Sequence, residues 1–200
     1  MGEKFQIDPN NLKELISEAQ IQTRVLELAK EIQNDYKGEE LKFICILKGA
    51  SYFFTDLTRR IETPARLDFM RVSSYKKGTQ SGEIELLQDL STSIQGQNVI
   101  VVEDIVDTGK TLQYLLGYLD LKKPKSIKLC CLLDKPSRRD DAAKNLKVDY
   151  VGFTVPNFFV VGYGLDFDEL YRNSPNILVN PMEEKDYKEI EEFQKKLLHK

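Results

Sequence analysis

Four short, continuous apolar runs recur along the chain, each bounded by glycine, proline or charged residues. They cover residues 43–47, 99–102, 127–133 and 158–161. Runs of this length are typical of strands buried on both faces, as in a parallel sheet. Helix-like stretches lie between them at 52–61 and 111–121, so strands and helices alternate. The pattern predicts an α/β fold.

Two amphipathic helices are predicted near the ends of the chain. Ser17 and Gln20 fit a capping box, and Gly38 provides a stop. Between them, apolar residues recur at helical spacing at Ile21, Val25, Leu28 and Ile32. The segment 182–200 places Tyr187, Ile190, Phe193 and Leu197 on one face of a charged helix. Each helix should pack by one face.

A further pair of strands is predicted at 67–73 and 84–87. The stretch 75–83 between them is polar and contains glycine. Composition alone favours a solvated hairpin whose connecting loop is mobile.

Charge and length restrict the classes of protein that the chain can belong to. The 200 residues are 41% hydrophobic, which suits one globular domain, and the formal net charge is −3 with a pI of about 5.4. An acidic chain lacks the broad basic surface of non-specific nucleic-acid binding. No apolar run approaches a membrane span, and residues 1–9 have no signal-peptide core. We therefore expect a cytoplasmic protein that binds neither nucleic acid nor membranes.

Cysteine and histidine usage narrows the possible chemistry. Cys45, Cys130 and Cys131 lie inside apolar runs without metal-binding spacing, as expected for buried thiols in a reducing compartment. The only histidine is His199, close to the end of the chain. Proton transfer must therefore depend on carboxylates, lysine or tyrosine.

The segment 99–111 carries the strongest chemical signal. An apolar strand ends in Glu103 and Asp104 and then turns through small residues into a helix. Unpaired N–H groups at a helix N-terminus bind phosphate, Gly109 permits close approach, and Thr108 and Thr111 add hydroxyl donors. The two carboxylates suit ribose hydroxyls or magnesium instead. A sugar phosphate satisfies both halves of the segment.

A nucleotide-binding P-loop is the obvious competitor, because residues 108–111 imitate its end. That motif requires a glycine five positions before Gly109, where this chain has Asp104. The pair Gly162 and Gly164 is likewise no dinucleotide fingerprint, since Phe167 occupies the position of the third glycine or alanine.

The run 99–111 resembles the phosphoribosyl-pyrophosphate signature of type I phosphoribosyltransferases. Residues 47–50 resemble the pyrophosphate loop of that family, in which a non-proline cis peptide would here join Lys48 and Gly49. The resemblance implies a donor site formed by Lys48, Gly49, Glu103, Asp104, Asp107, Thr108, Gly109, Lys110, Thr111 and Arg172. It also makes Asp107 the general base that takes the proton from the purine.

The segment 158–172 resembles the purine-binding segment of the hypoxanthine-guanine members of this family. The resemblance assigns Lys135 to the exocyclic oxygen of the base, Phe159 to stacking and the Val160 backbone to the edge of the base. Asp166 would approach the purine and a second Mg²⁺, with Glu103 and Asp104 near the first. Ser74 and Tyr75 would belong to the flexible loop that closes over the site. Phe158 could equally be plain core.

The implied architecture is a central, mostly parallel sheet flanked by helices, with a small hood. As one domain over 1–200, the core would span about 18–147, the hood would come from 1–17 and 148–181, and a helix would follow at 182–200. Relatives form homodimers or homotetramers, and one of these states is expected here. Arg138 and Arg139 are candidates for pyrophosphate or subunit contacts, although a solvated surface role is at least as compatible with their sequence context.

Two alternatives stay open at this point. A regulator of this fold that binds RNA would need a basic cluster, and only residues 122–128 come near one. A relative that prefers xanthine is harder to distinguish from sequence.

Overall fold

The computed structural model describes residues 7–74 and 84–198, with the side chain of Ser74 not described. The helices are α1 (Glu18–Asp35), α2 (Ser51–Thr58), α3 (Lys110–Asp120) and α4 (Glu184–Leu198). The strands are β1 (Lys13–Ile16), β2 (Leu41–Leu47), β3 (Ala65–Ser74), β4 (Ile84–Gln88), β5 (Asn98–Val106), β6 (Ser126–Asp134), β7 (Tyr150–Thr154), β8 (Val160–Val161) and β9 (Ile177–Val179).

Six strands form the main sheet in the order β4-β3-β2-β5-β6-β7. All neighbouring pairs are parallel except β3 with β4, which is antiparallel. The predicted fold class, a mostly parallel sheet flanked by helices, is confirmed. Parallel order brings the carboxyl ends of the central strands to one edge, where open α/β sheets bind ligands.

Two hydrophobic cores cover the two faces of this sheet. On one face, Phe43 and Cys45 of β2 pack with the buried sides of α1 and α2. On the other, Ile44 and Val101 pack with α3. Because neighbouring positions of β2 and β5 point to opposite cores, these strands read as continuous apolar runs. The three cysteines are free and buried.

The predicted helix caps are present in α1. The Ser17 hydroxyl and the Gln20 side chain form a complete capping box, and the four predicted apolar positions are fully buried. Gly38 follows the helix with φ at +82°, a conformation that glycine adopts without steric cost.

A small antiparallel sheet, in the order β1-β9-β8, lies apart from the main one. Here two expectations were wrong. The run 158–161 is not a strand of the parallel sheet, because only Val160–Val161 is extended, and it pairs with β9. Residues 150–154, assigned to the hood, instead form β7 at the edge of the main sheet. Burial alone did not reveal which sheet an apolar segment joins.

Candidate active site

A turn after β5 provides the predicted phosphate-binding geometry. The strand continues to Val106, so Glu103 and Asp104 lie within its last residues rather than after its end. Gly109 caps α3 with φ at +79°, and within the described residues this end of the helix has no side-chain cap. Unpaired donors at the positive end of a helix favour an anion.

A cavity of about 330 Å³ opens at the carboxyl ends of β2 and β5. Every predicted donor-site residue except Lys110 lines this cavity, and so does Asp166. These residues are Lys48, Gly49, Glu103, Asp104, Asp107, Thr108, Gly109, Thr111, Asp166 and Arg172. The Lys110 ammonium lies instead 3.0 Å from the Asp140 carboxylate. A larger cavity, about 990 Å³ between α1, β7 and α4, contains none of the predicted residues.

Glu103 and Asp104 form a crowded pair of acids at this cavity. Burial raises the pKa of Glu103 well above its usual value, and the adjacent charge of Asp104 raises it further. Burial also raises the pKa of Asp104, opposed by the Ile105 backbone N–H and by Arg172. The Glu103 Oε2 atom is buried and has no hydrogen-bond partner among the residues that the structure describes. An unpartnered buried carboxylate oxygen suits a cation or a hydroxyl donor.

The loop after β2 lies against this acid pair. A Cβ atom added to Gly49 would lie 1.5 Å from Asp104 Oδ2, so only glycine fits. The cis peptide joins Leu47 and Lys48, and the predicted position between Lys48 and Gly49 was wrong by one residue. The Lys48 ammonium lies 2.6 Å from a Glu169 carboxylate oxygen.

Arg172 also lines this cavity. Its guanidinium donates to the Gly164 carbonyl at 2.7 Å and lies 2.9 Å from Asp166 Oδ1. Its Nε atom is buried and, in the described part of the chain, has no hydrogen-bond partner. Asp166 also accepts a hydrogen bond from the Glu169 backbone N–H.

The predicted purine residues form a second group beside this cavity. Lys135 follows β6, is only 6% exposed, and donates to the Phe158 carbonyl at 2.5 Å. Burial lowers the pKa of Lys135. The Phe159 ring is 43% exposed and meets the Phe167 ring edge-on, with centroids 5.7 Å apart, whereas Phe158 and Val160 are buried. Of the predicted purine-binding residues, only Asp166 lines the cavity at the ends of β2 and β5, which we call the donor cavity.

Two arginines have more definite positions than the sequence indicated. Arg138 Nε lies 3.0 Å from the Asp107 carboxylate. Arg139 has only 10% of its side chain exposed, donates to the Val106 and Asp107 carbonyls at 2.7 Å, and pairs with Asp134. The solvated alternative is wrong for Arg139, which holds the start of the turn after β5. The sequence shows only two adjacent arginines after a strand. It does not indicate that one of them donates to the backbone carbonyls of the turn.

The predicted flexible loop lies largely outside the described residues. Ser74 is the last residue of β3, and Tyr75 is not among the described residues.

Three lysines of the basic stretch 122–128 pair with acidic neighbours. Lys122, Lys125 and Lys128 lie 3.0, 2.7 and 2.9 Å from Asp89, Glu39 and Asp149. These pairs reduce the positive charge that an RNA-binding surface would need. Within residues 7–74 and 84–198, no helix is long and apolar enough to cross a membrane.

The family model for the phosphoribosyl transferase domain matches residues 12–168. The chain therefore belongs to the phosphoribosyltransferase family, and the family predicted from the sequence is confirmed.

Within the family, the chain is similar to hypoxanthine-guanine phosphoribosyltransferases. It is 48% identical over 166 residues to that of Bacillus subtilis, covering 82% of this chain and 91% of the relative, and 44% identical over 180 residues to that of Mycobacterium tuberculosis, covering 86% and 88%. A crystal structure of the Bacillus anthracis enzyme is 45% identical, covers 88% of this chain and all of that one, and superposes with a TM-score of 0.78.

The Listeria innocua bifunctional protein TilS/HprT is 49% identical over 166 residues, and the chain spans about a quarter of its length. Taken together with the family match, these relatives support the predicted class, a phosphoribosyltransferase.

Proposed function

We propose that the chain transfers the phosphoribosyl group of phosphoribosyl pyrophosphate to hypoxanthine or guanine, releasing pyrophosphate and forming IMP or GMP. The observation that carries this proposal is the cavity shared by a half-buried acid pair, the N-terminus of α3 and the loop 47–49. One ligand that combines ribose hydroxyls with phosphate groups satisfies all three.

The donor side fits Mg²⁺ as cofactor. Mg²⁺ usually binds one or two carboxylates together with substrate phosphates and water. Glu103 and Asp104 offer such a pair, and the orphaned Glu103 oxygen is one candidate ligand. Asp166, facing the cavity beside Arg172, is the candidate for a second ion. The metal would neutralise the charge that develops on departing pyrophosphate. The N–H groups of residues 49 and 109–111, Lys48 and Arg172 would bind the phosphates.

Asp107 is the proposed general base for the purine N7 proton. Asp107 lines the cavity at the start of the turn, and its carboxylate forms an ion pair with Arg138. Lys135 would donate to the 6-oxygen of the purine. Phe159 would stack on the ring and the Val160 backbone would meet the edge of the base. The route of the N7 proton is thus from the purine nitrogen to an Asp107 oxygen as the new glycosidic bond forms.

Pyrophosphate release from phosphoribosyl pyrophosphate and hypoxanthine tests the proposal and its metal. We expect turnover with Mg²⁺, loss of turnover on chelation with EDTA, and full recovery when Mg²⁺ is restored. Turnover that persists in EDTA would contradict the role proposed for Glu103 and Asp104.

We further propose a cytoplasmic homodimer or homotetramer without nucleic-acid partners. The three reduced, buried cysteines support a reducing compartment. Light scattering coupled to size-exclusion chromatography distinguishes a dimer from a tetramer, and a monomer would contradict this part.

A further inference from the structure

The turn formed by residues 162–164 rests directly on the loop 47–49. A Cβ atom added to Gly164 would lie 1.9 Å from the Gly49 carbonyl oxygen. Gly49 itself has no room on its other side, where Asp104 lies. The backbone of the proposed pyrophosphate loop is therefore held between the acid pair and this turn, and a shift of the turn moves the loop.

Tyr163, at the centre of this turn, has an unusual backbone. Its φ is +49°, and the flanking glycines have φ of +97° and +101°. A bulky residue rarely adopts positive φ, so surrounding contacts must impose it. The Tyr163 N–H donates to the Ser174 carbonyl at 2.8 Å, and the ring is only 4% exposed.

The Tyr163 hydroxyl anchors the turn to α2. It donates to Asp56 Oδ2 at 2.6 Å, and its ring centroid lies 6.1 Å from that of Tyr52. The helix α2 begins at Ser51, directly after the loop 47–49. One hydrogen bond thus joins the turn above the loop to the helix that follows the loop.

The same turn also supports Arg172. The Gly164 carbonyl accepts from the Arg172 guanidinium, and the Gly164 N–H donates to the Arg172 carbonyl at 2.9 Å. Gly164 therefore contacts both the loop and the arginine that face the donor cavity. Tyr163, which precedes Gly164 in the chain, therefore connects the loop and Arg172 to α2.

We propose that Tyr163 is a positioning residue for the diphosphate of the donor. Its bond to Asp56 holds Gly164 against Gly49 and Arg172, so that the loop and the guanidinium keep the spacing that a diphosphate requires. The inference rests on the proposed donor role of this cavity.

Tyr163→Phe removes only the hydroxyl. Asp56 keeps its hydrogen bond from the Gln22 amide at 2.7 Å, so the variant does not strip its partner completely. We expect the KM for phosphoribosyl pyrophosphate and the Kd for magnesium pyrophosphate to rise about fivefold or more, as the loss of one net hydrogen bond allows. The KM for hypoxanthine should change less than twofold, or about 0.4 kcal/mol.

Tyr150→Phe is the matched control. Tyr150 is also 4% exposed, and its hydroxyl donates to Asp35 Oδ2 at 2.7 Å, joining β7 to α1 away from the cavity. It should lose similar thermal stability and keep wild-type values for all three constants.

Calorimetric titration with magnesium pyrophosphate, together with the two KM values, gives distinguishable outcomes. A wild-type protein that does not bind magnesium pyrophosphate would defeat the donor role of the cavity itself. Wild-type binding with unchanged constants in Tyr163→Phe, or equal changes for donor and hypoxanthine, would overturn the positioning role alone. If Tyr163→Phe is too unstable to assay, Asp56→Ala breaks the same bond from its other end, and the same selective loss of diphosphate affinity is required.

Discussion

The donor half and the purine half of the site bury charge of opposite sign. On the donor side, burial raises the pKa of Glu103 and of Asp104, so their ionised forms are disfavoured without a ligand. On the purine side, burial lowers the pKa of Lys135, and its ammonium donates a hydrogen bond to the Phe158 carbonyl. The two halves therefore suit ligands of opposite character: the acids suit a cation or hydroxyl donors, and the Lys135 ammonium, which carries several donors, suits a second acceptor beside the Phe158 carbonyl.

The two halves also differ in how they are built. The donor cavity combines backbone at strand and helix ends, including Gly49, which has no room for a Cβ atom, with charged side chains such as Glu103 and Arg172. The proposed purine side consists of Lys135, which follows β6, Phe159, which precedes β8, and the backbone of Val160. Substitutions should therefore separate donor binding, purine binding and chemistry.

The largest effect is expected for Asp107→Asn. Removal of a general base lowers turnover by about 10²–10⁴-fold, with weaker effects on donor binding because the base acts at the chemical step. Single-turnover kinetics and donor titration measure the two separately. Asp89→Asn, an exposed acid paired with Lys122, is the control. A loss below about tenfold would mean that Asp107 only shapes the turn.

A smaller effect, confined to the purine half, is expected for Lys135→Ala. An unpaired purine oxygen costs about 1–3 kcal/mol, so kcat/KM for hypoxanthine and guanine should fall together by about five- to 150-fold. The Kd for phosphoribosyl pyrophosphate should be largely kept. Lys128→Ala, at the other end of β6, should leave both quantities unchanged. Near-normal rates in Lys135→Ala would make this lysine a merely structural residue.

The smallest effect is on stability, and it is specific to the acid pair. Because the pKa of Glu103 is raised on folding, its favourable contribution is present below its unfolded pKa and is lost as pH rises through the folded value. Glu103→Gln should therefore raise the Tm of the ligand-free protein, with a larger gain at pH 8 than at pH 5. It should also reduce the stabilisation by magnesium pyrophosphate. A Tm below wild type at pH 8 would contradict the burial argument.

Much of the fold was predictable because its strands are buried on both faces. Continuous apolar runs identified β2, β5 and β6, and the capping box fixed the start of α1. The strand β7 was missed because Gly152, which packs against the Leu132 carbonyl with no room for a Cβ, interrupts its apolar pattern. Periodicity reports burial, and it does not distinguish the main sheet from the hood.

The site was predictable where chemistry is contiguous in the chain. The acids and the turn at 103–111 lie together in sequence and line one cavity. Contacts between distant segments were not visible, since nothing in the sequence joins Asp56 to Tyr163 or Arg139 to the Val106 carbonyl. The sequence also does not indicate that the Lys110 ammonium pairs with Asp140, which leaves the Lys110 backbone N–H as its candidate contact with the donor.

The most direct test of the account is pyrophosphate release measured in parallel with hypoxanthine, guanine, xanthine, adenine, orotate and uracil. Lysine donates and cannot accept, so Lys135 should bond the 6-oxygen of hypoxanthine and guanine but face a donor in adenine. We predict rapid release with hypoxanthine and guanine, slow release with xanthine, and release at least about tenfold slower with adenine. Orotate and uracil should give none. Adenine turned over as fast as guanine would contradict the account.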